Sequence, residues 1–214
     1  MTETTDQTVM QRAIAPAGRK METVTRAARQ LFLDQGFSAT SMDAVAKAAG
    51  VSKATLYAYF PSKEALFASL IMAECEGMQR HLPQPDLSDG FLPALRRFAR
   101  QYVDAFIRRK DVAFVRIIAN ESGRFPELGR LFYESGPQAT IRRLARFLDE
   151  AKAQGLIDFD DSSVAATQFL SLVRGELPLR IVLGLADVTD DAMEREIEAG
   201  LAFFLRACRP TTSP

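Results

Sequence analysis

The chain has 214 residues, of which 47% are hydrophobic, so it can fill one large core or two unequal ones and is globular rather than disordered. Lys and Arg together number 27, as do Asp and Glu, so the chain as a whole lacks the basic excess typical of nucleic-acid binding. Any positively charged surface for nucleic acid must therefore be local. The segment 44–63 is a candidate, because it holds three lysines and no acidic residue.

The N-terminal part predicts a polar arm followed by a helix. Residues 1–18 are polar and end in Pro16 and Gly18, which favours a flexible arm. The alternative is an arm that enters a DNA groove with Arg12 and Arg19. From Arg19 to Gln35 the apolar residues recur with helical spacing, and Gly36 supplies a stop signal.

Three further helices are expected before residue 82. Thr40 or Ser41 can cap a short helix that ends at Gly50. A third helix then runs until Pro61 forbids its continuation, and Ser62 caps a longer fourth one. Two short helices joined by a tight turn with glycine are the outline of a helix-turn-helix.

The third helix has faces of different character. Leu56 and Phe60 are four residues apart, share one face and are expected to be buried. Lys53 and Tyr57 share a second face with Ala54, whose small side chain permits a close approach of the backbone. This second face is expected to reach base edges in a DNA major groove.

The margins of that face carry groups suited to phosphates. These are the hydroxyl groups of Thr55 and Tyr59, the ammonium of Lys63, and the start of the second helix at Thr40 and Ser41. The two tyrosines of the third helix have an alternative interpretation, in which they are half-buried residues that pack between helices.

The stretch FSATSMDAVAKAAGVSKATLYAYFPSKEALF, residues 37–67, resembles the DNA-binding signature of the TetR family of transcriptional regulators. That signature is a G-V-S-x-x-x-L-Y-x-Y-F-x-x-K-E-x-L string, and this chain matches it without departure. The resemblance covers about residues 19–67. The matching positions are Gly50, Val51, Ser52, Leu56, Tyr57, Tyr59, Phe60, Lys63, Glu64 and Leu66.

The resemblance implies an all-α protein with an N-terminal helix-turn-helix domain, a connector helix and a larger helical domain for ligand binding and dimerisation. The expected division is an arm at 1–18, a DNA-binding domain at 19–65 and an effector-binding and dimerisation domain at 66–210. By position, the resemblance assigns base contacts to Lys53, Ala54 and Tyr57. It assigns phosphate contacts to Ser41, Ser52, Thr55, Tyr59 and Lys63.

The implied function is that of a sequence-specific regulator, expected to be a repressor that a small-molecule effector releases from a palindromic operator. The expected partners are double-stranded DNA, a second copy of the chain in a homodimer, and a largely apolar effector. The alternative is a helical interaction or ligand-binding module without specific DNA binding, because all-α folds serve many functions and the motif covers only the N-terminal part.

The rest of the chain predicts more helices but carries no comparable motif. A helix is expected over 92–109, and Asp111 can cap the next one, which Gly123 breaks. Gly136 and Pro137 predict an interruption of the helix that follows Pro126. Near the end, Pro178 predicts a bend within a helical stretch.

Apolar and polar residues of these helices are candidates for an effector pocket. Ordinary core packing remains the alternative for each of them. The candidates are Phe98, Tyr102, Phe106, Phe114, Ile118, Asn120, Glu121, Phe132, Phe169 and Arg174.

Two apolar stripes on the last helices are either core or a dimer interface. In the TetR family the final two helices usually pair with those of a second subunit, which favours the interface. The expected interface residues are Phe169, Leu172, Val173, Ile197, Leu201, Phe204 and Leu205.

Other kinds of site lack support in the sequence. Cys75 and Cys208 lie far apart without metal-ligand spacing, so neither a disulfide framework, a metal site nor a cofactor is expected. The only histidine, His81, stands beside a proline-rich linker, and no nucleophile with a base appears, so we expect no catalytic residues and no enzyme. The chain has neither a leader pattern nor an apolar run of about 18 residues, which predicts a cytoplasmic protein without a membrane segment.

Overall fold

The computed structural model describes residues 19–82, 84–107, 112–183, 185 and 189–210. These residues form eleven α-helices and no strand, which confirms the expected all-α fold. The predicted arm at 1–18 lies outside the described residues. Within the described part of the chain, every helix is too short or too polar to cross a membrane.

The helices follow one another along the whole described chain. They are α1 Arg19–Gln35, α2 Met42–Ala49, α3 Lys53–Tyr59, α4 Lys63–His81, α5 Phe91–Ile107, α6 Val112–Glu121, α7 Pro126–Ser135, α8 Pro137–Ala153, α9 Ser162–Arg174, α10 Leu177–Val182 and α11 Asp190–Ala207.

The ends of the early helices follow local signals. The hydroxyl oxygen of Ser41 accepts a hydrogen bond from the amide of Ala44 at 3.1 Å, and this caps α2. Gly50 ends α2 with φ 65°, a left-handed conformation that a side chain disfavours. Ser52 caps α3 in the same way as Ser41 caps α2.

Later breaks are sharper than the sequence indicates. The stretch expected to bend at Pro178 is divided into α9 and α10, because Gly175 turns the chain with φ 50° before Pro178 enters the first turn of α10. The predicted interruption at Gly136 and Pro137 separates α7 from α8, as expected.

The helices form two compact units, of which the first holds residues up to Glu76 and Ala113–Ser135. Phe37 and Phe67 lie at its centre, with ring centroids 4.9 Å apart. Arg29 of α1 donates a hydrogen bond to Glu74 of α4 at 2.5 Å. Phe114 of α6 packs on Phe67 with ring centroids 5.3 Å apart, so α6 is part of the core beneath the helix-turn-helix.

The second unit holds Gly77–Val112 and the chain from Gly136 onward. Helices α9 and α11 cross closely, since a Cβ on Gly200 would lie 2.6 Å from the backbone of Leu172. Arg96 of α5 binds Glu198 of α11 through two hydrogen bonds of 2.6 and 3.0 Å. The expected boundary between a DNA-binding and an effector-binding domain, at residues 65 and 66, stays a prediction. The two units described above are defined by how the helices pack and not by what they bind.

Candidate nucleic-acid interface

Helix α3 is held by one face and exposes the other. Leu56 and Phe60 are completely buried, whereas Tyr57 and Tyr59 are 48% and 46% exposed. About half of each tyrosine is thus open to solvent, so a contact with DNA and partial packing between helices both stay predictions. Ala54 is also exposed, so the face that the helical phase assigned to base edges is open.

Lys53, at the start of α3, forms an ion pair with the first turn of α2. Its ammonium nitrogen lies 2.5 Å from a carboxylate oxygen of Asp43. The hydrogen bond and the charge of Asp43 together raise the pKa of Lys53 above its usual value. Both side chains remain largely exposed, and the pair therefore lies in solvent at the edge of the open face.

Three of the predicted phosphate ligands are hydroxyl groups near the starts of α2 and α3. Ser41 is exposed while it caps α2. The hydroxyl oxygens of Ser52 and Thr55 lie 2.8 Å apart, and Ser52 also accepts from the amide of Thr55 at 3.1 Å. Together with the exposed Tyr59, these groups form a polar margin around α3 that can bind phosphate oxygens.

The structure corrects the expectation for Thr40. Its side chain is only 2% exposed, and its hydroxyl donates to the carbonyl of Gly36 at 2.8 Å. A buried hydroxyl that satisfies a helix-end carbonyl is not accessible to DNA. Ser41, the neighbouring residue, keeps its exposed position.

Lys63, another predicted phosphate ligand, points back into its own unit. Its ammonium donates to the carbonyls of Phe37, Ser38 and Thr40 at 2.8, 3.2 and 2.9 Å. An ammonium has three protons, and these three bonds use all of them. A phosphate contact by Lys63 therefore remains a prediction that requires one of these bonds to break.

The segment 36–41, which ends at Ser41, is also anchored to α6 and the residues after it. The Ser38 hydroxyl donates to both carboxylate oxygens of Glu121 at 3.1 Å. Phe37 contacts Phe125 edge to face, with ring centroids 5.3 Å apart. Glu121, a candidate for the effector pocket, therefore binds within the first unit in this structure.

The other effector-pocket candidates are divided between the two units. Phe114, Ile118 and Phe132 pack in or against the core of the first unit, and Asn120 is exposed. Phe98, Tyr102, Phe169 and Arg174 belong to the second unit, and the side chain of Phe106 lies outside the described residues.

Tyr102 and Arg174 form a partly buried polar pair within the second unit. Burial raises the pKa of Tyr102, and the charge and hydrogen bond of Arg174 oppose that rise. The phenol therefore stays protonated near neutral pH. The side-chain oxygen of Gln101, on the same helix as Tyr102, is buried without a hydrogen-bond partner.

The expected dimer stripes are mostly internal, which corrects that prediction. Five of the seven residues are at most 2% exposed in the core of their own unit, and they are Phe169, Val173, Ile197, Leu201 and Phe204. Leu172 and Leu205 are half-buried. The same helices expose Val164 and Phe203 by 52% and 56%.

Metal chemistry is not indicated in the described part of the chain, where no cluster of three or more His, Cys, Asp or Glu side chains could hold an ion. Burial raises the pKa of the Cys75 thiol to about 11. Its sulfur donates weakly to the carbonyl of Phe132, so this cysteine is a packing residue of the first unit.

Two family models match this chain. The model of bacterial regulatory proteins of the tetR family matches residues 24–70, which include α2 and α3. The model of the C-terminal domain of AefR-like transcriptional repressors matches residues 93–210. The second match covers more than half of the chain.

Solved and curated proteins resemble the chain over most of its length. The solved structure of the flavonoid-responsive regulator FrrA is 76% identical and covers 92% of this chain and 100% of its own, with a TM-score of 0.85. A TetR-family regulator of Mesorhizobium loti is 25% identical over 89% of this chain and 97% of its own, with a TM-score of 0.80. The regulator UidR of Escherichia coli K12 is 28% identical over 191 residues, which are 86% of this chain and 88% of UidR.

Proposed function

Because this chain belongs to the TetR family of transcriptional regulators, we propose that it is a homodimeric, effector-released repressor that acts in the bacterial cytoplasm. The observation that carries the proposal is the geometry of α3. One face is completely buried at Leu56 and Phe60, while the opposite side exposes Lys53, Ala54 and Tyr57 to solvent. A helix held in this way can enter a major groove without losing its own packing.

The proposed contacts follow from exposure and chemistry. Lys53, Ala54 and Tyr57 meet base edges. Phosphates are bound around them by the hydroxyls of Ser41, Ser52, Thr55 and Tyr59, and by the free amides at the start of α2. Lys63 fixes the position of Ser41 indirectly, because its ammonium binds carbonyls of the segment 36–41.

A dimer is required because one short helix reads too few base pairs. Two recognition helices about 34 Å apart read two half-sites of a palindrome. We place the interface on the exposed faces of α9 and α11, around Val164 and Phe203, since a two-fold interface needs apolar surface that its own subunit leaves uncovered.

The effector is proposed to be a flavonoid or a related polyphenol. FrrA, with 76% identity, is by its name flavonoid-responsive, and this identity extends over the second unit. A polyphenol presents an apolar ring system with hydroxyl groups. In the second unit, Phe98 and Phe169 belong to the buried apolar core, while Tyr102, Arg174 and the unpaired oxygen of Gln101 are polar groups suited to hydroxyl partners.

Release from DNA is proposed to follow a population shift. The effector selects a conformation of the 66–210 region in which α4 repositions the DNA-binding domain of residues 19–65, and the two recognition helices no longer match the half-site spacing. Helix α4 is suited to this role because it is one continuous helix that contributes residues to both units.

Selection of bound duplexes from a random DNA pool tests this function. We expect enrichment of a palindrome, and we expect added flavonoid to release the protein from it. Enrichment without release would retain the regulator and reject the effector class. If no sequence is enriched and binding to duplex DNA shows no dependence on salt, the alternative of a helical interaction module would replace the proposal.

A further inference from the structure

Asp43 occupies an unusual position for an acidic residue on a DNA-binding surface. It lies in the first turn of α2, two residues after Ser41, where phosphates are expected to approach. Its carboxylate binds the ammonium of Lys53, the first residue of α3, at 2.5 Å. The ion pair therefore joins the two helices of the helix-turn-helix at the surface that faces DNA.

An exposed lysine at this position would lower the specificity for an operator by strengthening binding to all DNA. A phosphate attracts any accessible ammonium, and such contacts are the same for every DNA sequence. Lys53 is exposed, whereas Lys63 uses its protons within its own unit. Lys53 is thus well placed to bind the DNA backbone at any site, unless another group holds it.

We propose that Asp43 is a specificity-determining residue, whose carboxylate holds Lys53 away from phosphates and releases it only where an operator base offers matching acceptors. The proposal rests on the proposed function, since it concerns how the same interface distinguishes operator from other DNA.

Operator and non-operator DNA differ in the contact that Lys53 gains when its ion pair with Asp43 breaks. At the operator, Lys53 exchanges Asp43 for base acceptors, such as N7 and O6 of guanine, at a fixed distance. On other DNA the only replacement is a phosphate, and the freed carboxylate of Asp43 then lies near that phosphate and repels it. The freed carboxylate repels nearby phosphates at the operator as well, but there the base acceptors of Lys53 offset that cost, so the ion pair acts mainly against non-operator DNA.

Asp43→Asn tests this proposal, with Asp34→Asn as the matched control. Both replacements remove one negative charge from the same unit with little change in shape. Asp34 lies in the last turn of α1 and accepts a hydrogen bond from Gln30 at 2.9 Å, apart from Lys53. For each variant, affinity is measured for the selected operator and for a non-operator duplex of equal length, over a range of salt concentrations.

We expect Asp43→Asn to strengthen non-operator binding about threefold to tenfold beyond any change in Asp34→Asn, because Lys53 becomes available to phosphates. The slope of log affinity against log salt should steepen by about one for each subunit on non-operator DNA. Operator affinity should change less than non-operator affinity, so the specificity ratio falls.

The same two substitutions are also made in a Lys53→Met background. This comparison separates an effect that acts through Lys53 from an effect on folding. In a Lys53→Met background, Asp43→Asn should have no effect on non-operator binding beyond that of Asp34→Asn. Equal effects of the two asparagine variants in the wild-type background would overturn the proposal. So would an Asp43→Asn effect that persists without Lys53, or a loss confined to the operator. Failure of the proposed function is separate, because the wild-type protein would then select no operator at all.

Discussion

The ammonium nitrogen of Lys63 lies 2.8 Å from the carbonyl oxygen of Phe37 and 4.5 Å from the centroid of the same residue's ring. Lys63 therefore binds Phe37 twice, once by a hydrogen bond and once by a cation–π contact. Phe37 belongs to the segment 36–41, which ends at Ser41, the cap of α2. A lysine that the motif assigns to DNA is thus built into the support of the DNA-binding surface.

Lys63→Met is expected to lower the free energy of unfolding by about 1–3 kcal/mol, because three carbonyls lose a charged donor. Chemical denaturation measures this, with Lys47→Met as a control that removes an exposed charge from α2. If Lys63 supports the surface from inside, the salt slope of operator binding stays at the wild-type value. A slope lower by about one for each subunit would instead assign Lys63 to a phosphate.

Tyr57→Ala is expected to relax base preference, because the removed side chain is 48% exposed on the face assigned to base edges. Discrimination between the operator and a version altered under α3 should fall about tenfold. Tyr59→Ala is the matched comparison, since this neighbour is 46% exposed but lies at the margin. It should weaken binding to all duplexes alike, and the same pattern for both variants would contradict the division of roles.

Phe203→Glu is expected to convert the proposed dimer to monomers. The ring of Phe203 is 56% exposed in the single chain, and the proposed interface would bury the new charge. Light scattering coupled to size-exclusion chromatography measures the mass. Tyr133→Glu is the control, since Tyr133 on α7 is 52% exposed in the other unit. A dimer that survives Phe203→Glu would place the interface elsewhere.

The ion pairs between α5 and α11 should make the free energy of unfolding depend on pH in the acid range. Arg100 lowers the pKa of Glu194 below its ordinary value of 4.5, chiefly by a hydrogen bond. A lowered folded pKa means that the stabilisation is complete above about pH 4.5 and is lost as pH falls through the folded value. Its size is below about 1 kcal/mol, since both side chains are about half exposed to solvent.

Thermal unfolding of wild type and Glu194→Gln between pH 7 and pH 3 measures this contribution. The difference in melting temperature should be greatest near neutral pH and should shrink as pH falls below 4.5, the unshifted pKa of the carboxyl group. A difference that is constant over the whole range would show that the substitution acts through packing alone.

Local signals in the sequence were sufficient for the helix-turn-helix. Ser41 caps α2 and Gly50 ends it, and the hydroxyl oxygen of Ser62 accepts from the amide of Ala65 in the first turn of α4, as expected. The four-residue spacing of Leu56 and Phe60 correctly predicted the buried face of α3. These predictions succeeded because caps, glycine turns and helical phase depend on residues within a few positions of one another.

What the sequence by itself determined is therefore the all-α fold, the helices of the helix-turn-helix, the family and the buried face of α3. Only the tertiary structure decided that Lys53 binds Asp43 and that Lys63 binds the carbonyl of Phe37. It also decided that Phe204 is internal while Phe203, one residue before it, is exposed. Periodicity shows that a helix has an apolar stripe, but which element covers that stripe, and which partner a long charged side chain reaches, depends on residues brought together from distant parts of the chain.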